Sequence, residues 1–191
     1  MAKELIAFLS KINAFTPEEI TELASQIIVK EVKKDTILVH QGKVCRLCYF
    51  VLKGCLRQYT LEDGMEKTIA FYTENQAINF FTSKTSQTPS RSSLVTLEDA
   101  LILAGNPEEE RAMYAKYPKL ERIAQAMVEQ DFGKTQDAFA GFITSSPEQR
   151  YLNLLNERPD LIQRVPQRLL ASYLGMTPES LSRIRKRIMP K

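Results

Sequence analysis

The sequence predicts an α+β chain in three parts: a small antiparallel β-roll, one long helix, and a C-terminal helix-turn-helix. Three observations predict it. Short segments rich in β-branched and aromatic residues recur between turn signals over about 35–105. Apolar residues then recur at spacings of mostly three and four through 119–143. Last, a glycine turn separates two short amphipathic patterns within 166–188. The matching domain boundaries are 1–117, 118–144 and 145–191.

In the first part, four segments read as strands: Thr36 to His40, Cys48 to Leu52, Leu56 to Thr60 and Lys67 to Tyr72. Gly42, Gly54 and the turn Glu62-Asp63-Gly64 separate them. Residues 82–93 form a polar Ser/Thr-rich loop. Helices are predicted at about 17–27, 107–116 and 147–157, because each opens with start chemistry. Thr16-Pro17-Glu18-Glu19 supplies a capping hydroxyl, proline at the first helical position and an acid at the third. Asn106-Pro107-Glu108-Glu109 and Ser146-Pro147-Glu148-Gln149 repeat the arrangement, the last with an amide. Such residues satisfy the backbone N–H groups that a helix start leaves unpaired.

The long helix carries Leu120, Ile123, Ala124, Met127, Val128, Phe132, Ala138, Phe139 and Phe142 along its apolar stripe. A stripe of that length needs a surface to cover it, and an identical helix from a second chain is the economical choice. Residues 119–143 are therefore expected to pair in a homodimer. Packing on the chain's own roll is the alternative, and Gly133, mid-helix, argues against an unbroken element.

Pro166 to Ile188 is the decisive stretch. Pro166 can start a first helix, and Ala171 is small where two helices must approach. Gly175 permits the left-handed backbone of a sharp turn, and Thr177 with Pro178 opens a second helix. Leu170, Leu174, Met176, Leu181, Ile184 and Ile188 supply the buried side. Glu179, Ser180, Ser182, Arg183, Lys186 and Arg187 are left facing outward. A short helix, a turn and a second helix with a basic outer face fit the major groove of DNA. Arginine can bond bidentately to guanine, and a carboxylate accepts from the cytosine amino group. Glu179 and Arg183, four apart, share one face and suit neighbouring base pairs. Arg168, Arg185, Lys186 and Arg187 suit phosphates, which position a protein without reading sequence.

Charge distribution points the same way. Residues 166–191 hold six basic side chains, Lys191 among them, and one acid, a net +5. The other 165 residues hold 20 basic and 22 acidic side chains, a net −2. The cationic end is where a polyanion binds. No run of about 18 apolar residues is present, so no membrane span is expected. The first eleven residues lack the order of a signal peptide, and a cytoplasmic location follows as the expectation. Cys45, Cys48 and Cys55 are odd in number, which argues against a disulfide framework, and all three are expected in strands as small buried hydrophobes. His40 is the only histidine, and no nucleophile elbow or phosphate loop accompanies it, so no enzyme and no metal site are expected. A protein whose roll binds a ligand and whose C-terminal helices serve protein contact is the competing reading; the +5 segment favours DNA.

These residues resemble the Crp/Fnr regulators over nearly the whole chain. The N-terminal half resembles that family's cyclic-nucleotide-binding roll, a double-stranded β-helix, and 119–143 its dimerisation helix. The segment Leu174 to Lys186 looks most like the Bacteroidetes branch. The resemblance implies that Glu179 and Arg183 read bases, with Thr177, Pro178, Ser180, Ser182, Arg168, Lys186 and Arg187 in the same contact surface. Pro178 stands where some members have a base-contacting arginine. Implied partners are double-stranded DNA, a second copy of the chain and RNA polymerase, with operator half-sites about one DNA turn, near 34 Å, apart.

One departure concerns the effector. Cyclic-nucleotide binders of this family carry a Gly-Glu pair about ten residues before an Arg-Ser. Arg91-Ser92 is present and is the candidate effector site, but residues 75–90 contain neither glycine nor glutamate. Losing a charge-assisted hydrogen bond costs about 1.5–3 kcal/mol, more than tenfold in affinity. The expectation is a different ligand, or none. The family's iron–sulfur sensors use four cysteines, against three here.

Overall fold

A computed structural model of the chain describes residues 2–188; Met1, Met189, Pro190 and Lys191, the last counted above in the basic segment, lie outside them. Two helices come first, α1 (Ala2–Ile12) and α2 (Pro17–Gln26). The sequence reading contains α2 but not α1. Leu5 and Leu9 of α1, one turn apart, are buried against Ile20, Leu23 and Leu52, so tertiary packing defines this helix more than its start chemistry does. Thr16 and Glu19 form the complete capping box at α2.

Eight strands follow: β1 (Val29–Val32), β2 (Ile37–Val39), β3 (Cys48–Lys53), β4 (Leu56–Glu62), β5 (Met65–Tyr72), β6 (Ala77–Ile78), β7 (Ser93–Thr96) and β8 (Ala100–Gly105). They form two antiparallel four-stranded sheets, ordered β1-β8-β3-β6 and β2-β7-β4-β5. Alternate residues of both sheets meet in one core: Tyr49, Val51 and Ile102 from the first, Val39, Leu56 and Leu94 from the second. The loop expected over 82–93 is helical in its first part, α3 (Phe81–Ser86). Only Cys48 of the three cysteines lies within a strand. Cys45 and Cys55 are buried in the connections beside β3, and burial pushes the Cys55 thiol up to about 12.

Helix α4 (Pro107–Lys116) has the second full capping box, from Asn106 and Glu109. It leads into α5 (Pro118–Thr144), 27 residues long and continuous through Gly133. No residue of α5 is buried; Phe132, Phe139 and Ile143 are 64%, 66% and 63% exposed. In α6 (Pro147–Glu157) Ser146 caps Gln149 N–H, but the Gln149 amide turns to Asn153 instead of closing a box. Three more helices complete the described residues, α7 (Pro159–Arg164), α8 (Gln167–Tyr173) and α9 (Pro178–Ile188). Tyr151, Leu161, Leu169, Ala171, Leu181 and Ile184 form their common core.

That core continues into the roll through Cys55 and Phe71, with Tyr173 edge-on to Phe71 at 5.2 Å. Polar contacts fasten the same junction. Ser172 Oγ accepts from Thr68 N–H (2.9 Å), Arg158 Nη2 donates to Thr73 Oγ1 (2.9 Å), and Arg164 bridges Glu74 (2.8 and 3.0 Å) and Glu98. Partial burial pushes the Glu74 carboxyl up, but the bonds from Arg164 and from Gly54 N–H outweigh it and bring the group down to about 2. No helix among the described residues is long and apolar enough to cross a membrane.

Candidate nucleic-acid interface

The pair α8–α9 is built by local chemistry. Pro166 cannot donate and stands as the cap residue of α8. After Leu174 the chain reverses at Gly175, whose φ is +69°, and Met176 N–H bonds Ala171 O (3.0 Å). Gly175 is close-packed as well: a Cβ there would lie 3.1 Å from the Phe142 ring and 3.2 Å from Arg150 Nη1. Thr177 Oγ1 accepts from Ser180 N–H (3.2 Å) and Pro178 occupies the first turn, so α9 starts where the residue pattern places it. Ala171 is fully buried between the helices, where a larger side chain would hold them apart.

Burying Leu181 and Ile184 fixes the rotation of α9. Pro178, Glu179, Arg183, Lys186 and Arg187 are then exposed, and Ser180 and Ser182 half-buried. Gln167, Arg168, Pro178, Glu179, Ser182 and Arg183 line one open groove of about 530 Å³ where the N-terminal ends of α8 and α9 converge. The structure thus brings Arg168 of α8 beside Glu179 and Arg183 of α9. It also adds Gln167, which the sequence reading lacks. The Glu179 carboxyl is held below its usual range by its own backbone N–H, the Thr177 hydroxyl and nearby Arg183. It therefore stays an acceptor at neutral pH.

The basic side chains divide into two sets. Among the described residues, Arg168, Arg183 and Lys186 make no hydrogen bond or ion pair that would occupy their donors. Arg185 and Arg187, assigned to phosphates by the sequence reading, are already engaged: Arg185 donates to Gln167 Oε1 (3.1 Å), and Arg187 pairs with Glu148 of α6. Both partners lie outside α9, beyond the reach of a helical-face argument.

At the roll, the two residues of the candidate effector site part company. Arg91 is exposed, while Ser92 is buried and its Oγ accepts from Gln58 Nε2 (2.7 Å). Gln58 Oε1 in turn accepts from the Tyr72 hydroxyl (2.8 Å), whose pKa burial and then Asp131 push up to about 12. Where the resemblance expects Gly-Glu stand Phe80, packed in the roll core, and Phe81, exposed. Lys84 of α3 is held by Cys48 Sγ (2.7 Å) and Glu110 (3.4 Å). These residues do not fit a cyclic nucleotide: no carboxylate faces a ribose from 75–90, and Ser92 is committed internally. Among the described residues no group of three or more His, Cys, Asp or Glu is placed to hold a metal ion. His40 is exposed, beside a concavity of about 450 Å³ shared with Tyr59, Glu66 and Ser93.

Residues 29–117 match the family described as the cyclic nucleotide-binding domain. A comparison with curated proteins gives no match. Among solved structures, the chain is similar to the c-di-GMP-responsive global regulator CLP of Xanthomonas campestris, at 16% identity over 88% of this chain and 89% of that one, with a TM-score of 0.68. FixK2 of Bradyrhizobium japonicum is similar at 17% identity over 85% and 84%, TM-score 0.66. A CooA variant of Carboxydothermus hydrogenoformans is similar at 15% over 87% and 79%, TM-score 0.66. These neighbours are Crp/Fnr-family regulators. At such identities the likeness is one of fold.

Proposed function

We propose that this chain, a cyclic nucleotide-binding domain set on the fold of Crp/Fnr regulators, is a DNA-binding transcription regulator that acts as a homodimer. In this reading residues 1–117 are the effector part, 118–144 the dimerisation helix and 145–191 a helix-turn-helix domain. The observation that carries it is the groove at the ends of α8 and α9. It gathers Arg168, Glu179, Ser182 and Arg183 on an exposed surface, with Arg168, Arg183 and Lys186 unengaged by hydrogen bonds or ion pairs among the described residues. An acceptor and a forked donor one turn apart are the equipment for reading adjacent base edges, and free cations beside them are the equipment for phosphates.

The uncovered apolar stripe of α5 supports the dimer. Pairing across a two-fold axis covers it and sets two reading helices about one DNA turn, near 34 Å, apart on a palindromic operator. The self-satisfied surroundings of Ser92 support a roll that takes an effector other than a cyclic nucleotide, or that serves as a scaffold. Such a regulator works on cytoplasmic DNA and addresses RNA polymerase from there.

Selection of bound sequences from random duplexes, at stated salt because phosphate contacts make affinity steeply salt-dependent, tests the reading. A palindrome is the expected product. On it Arg183→Ala costs about 1–3 kcal/mol and relaxes one base position, whereas Lys186→Ala weakens all sequences alike. Equal effects of both variants on specific and random DNA sink the role assignment.

A further inference from the structure

We infer that Arg150 is a positioning residue: it locks the angle between the end of α5 and the α8–α9 pair, and so sets which operator half-site spacing the protein accepts. The inference rests on the DNA-binding reading above. Arg150 lies in the first half of α6, between the two elements it joins. Its Nε donates to Phe142 O at the end of α5 (3.0 Å), and its Nη1 donates to Leu174 O at the end of α8 (3.2 Å). The guanidinium also lies over the Phe142 ring, 3.8 Å from its centroid. One planar cation therefore ties the carbonyl ends of two helices together. Those carbonyls lack partners within their own helices and carry the negative end of the helix dipole, so a cation there is favoured. The ring adds attraction through its face.

Gly175 completes the joint. The turn runs so close to the Phe142 ring and Arg150 Nη1 that only a residue without Cβ sits there without displacing one of them. The rigid fork of arginine matters because its two donors keep a fixed angle, which a lysine ammonium does not. A second attachment, Arg164 with Glu74 and Glu98, holds the same helical unit to the roll, so the unit stays folded and docked without Arg150.

Geometry shows why the angle matters. With half-sites near 34 Å apart, each reading helix stands about 17 Å from the two-fold axis. A shift of either helix by about 3.4 Å along the duplex is one base-pair step. A joint looser than that cannot discriminate operators that differ by one base pair in spacing.

The test uses the full chain and the operator obtained by selection, together with duplexes whose half-sites are one or two base pairs closer or farther apart, and a single half-site. Wild type is expected to prefer one spacing sharply. Arg150→Gln should keep its affinity for the single half-site while the preference for the correct spacing over its one-base-pair neighbours falls about tenfold. That size is typical of positions that tune coupling without touching ligand. Arg150→Lys, which keeps the charge but not the fork, should fall between, and it serves as the informative variant if Arg150→Gln unfolds. An unchanged spacing profile in both variants overturns the inference. So does a parallel loss on every duplex, the mark of a merely structural role. Absence of binding by the wild type itself brings down the DNA-binding reading instead, and is distinguishable from both.

Discussion

Replacing Gly175 by alanine separates backbone strain from crowding when it is paired with Gly64→Ala. Both glycines have positive φ, +69° and +76°. At Gly64, in the β4–β5 hairpin, an added Cβ meets nothing within 4 Å. The cost there is the left-handed backbone, about 1–2 kcal/mol for a residue with a Cβ, offset by about 0.4–1 kcal/mol because alanine also restricts the unfolded chain. About 1 kcal/mol remains. At Gly175 the same strain is joined by contacts at 3.1 Å to Phe142 and 3.2 Å to Arg150 Nη1. Both are tips of side chains and can yield a few tenths of an ångström. Yielding loosens the two Arg150 bonds and the ring contact, which adds about 1 kcal/mol, the low end of the cost of overpacking. Urea denaturation should therefore place Gly175→Ala about 2 kcal/mol below wild type and Gly64→Ala about 1 kcal/mol below. Gly175→Ala should in addition broaden the accepted operator spacing. Equal destabilisation by the two substitutions refutes the reasoning, since it leaves the packing at the turn with no energetic weight.

Two more expectations concern the roll junction and the dimer. The Glu74 carboxyl sits near 2 in the folded chain, against an ordinary 4.5, so its pairing stabilises the fold above about pH 4.5 and is lost as pH falls toward 2. Its side chain is 38% exposed, and solvent screening leaves about 1 kcal/mol, read as the stability gap between wild type and Glu74→Gln at neutral pH. A gap that does not shrink from pH 5 toward pH 2.5 contradicts the assignment. Separately, Phe139→Glu places a carboxylate on the exposed apolar stripe of α5. Burying it unpaired at a helix–helix interface should weaken self-association by more than about tenfold in sedimentation equilibrium, with secondary structure unchanged. A wild-type chain that is monomeric at micromolar concentration, or a variant that dimerises as well, rules out pairing through this face.

Elements whose causes lie within a few residues were legible from the chain alone. The starts of α2, α4 and α6 follow from Thr16, Asn106 and Ser146 with the prolines after them, and the structure has them at Pro17, Pro107 and Pro147. β3, β4 and β5 begin within two residues of the segments chosen by side-chain type. The helix over 119–143 is unbroken at Gly133, because the penalties of its two glycines, Gly133 and Gly141, are spread over 27 residues of otherwise favourable sequence. Helix α1 escaped because its identity comes from Leu5 and Leu9 packing on α2 and β3 rather than from a cap. Arg91 and Ser92 are neighbours in sequence, yet the end of β7 sends one to solvent and the other to Gln58, 34 residues away.

The sequence by itself therefore determined the periodic elements, the α8–turn–α9 pattern and the clustering of positive charge at one end, since caps, turn residues and apolar spacing act locally. The tertiary structure alone decided which polar groups meet. Arg187 finds Glu148, Ser172 finds Thr68 across 104 residues, and Arg150 reaches two helix ends at once. Those meetings depend on sheet order and on how the last helices dock against β5, and no window along the chain encodes a distance between segments that far apart.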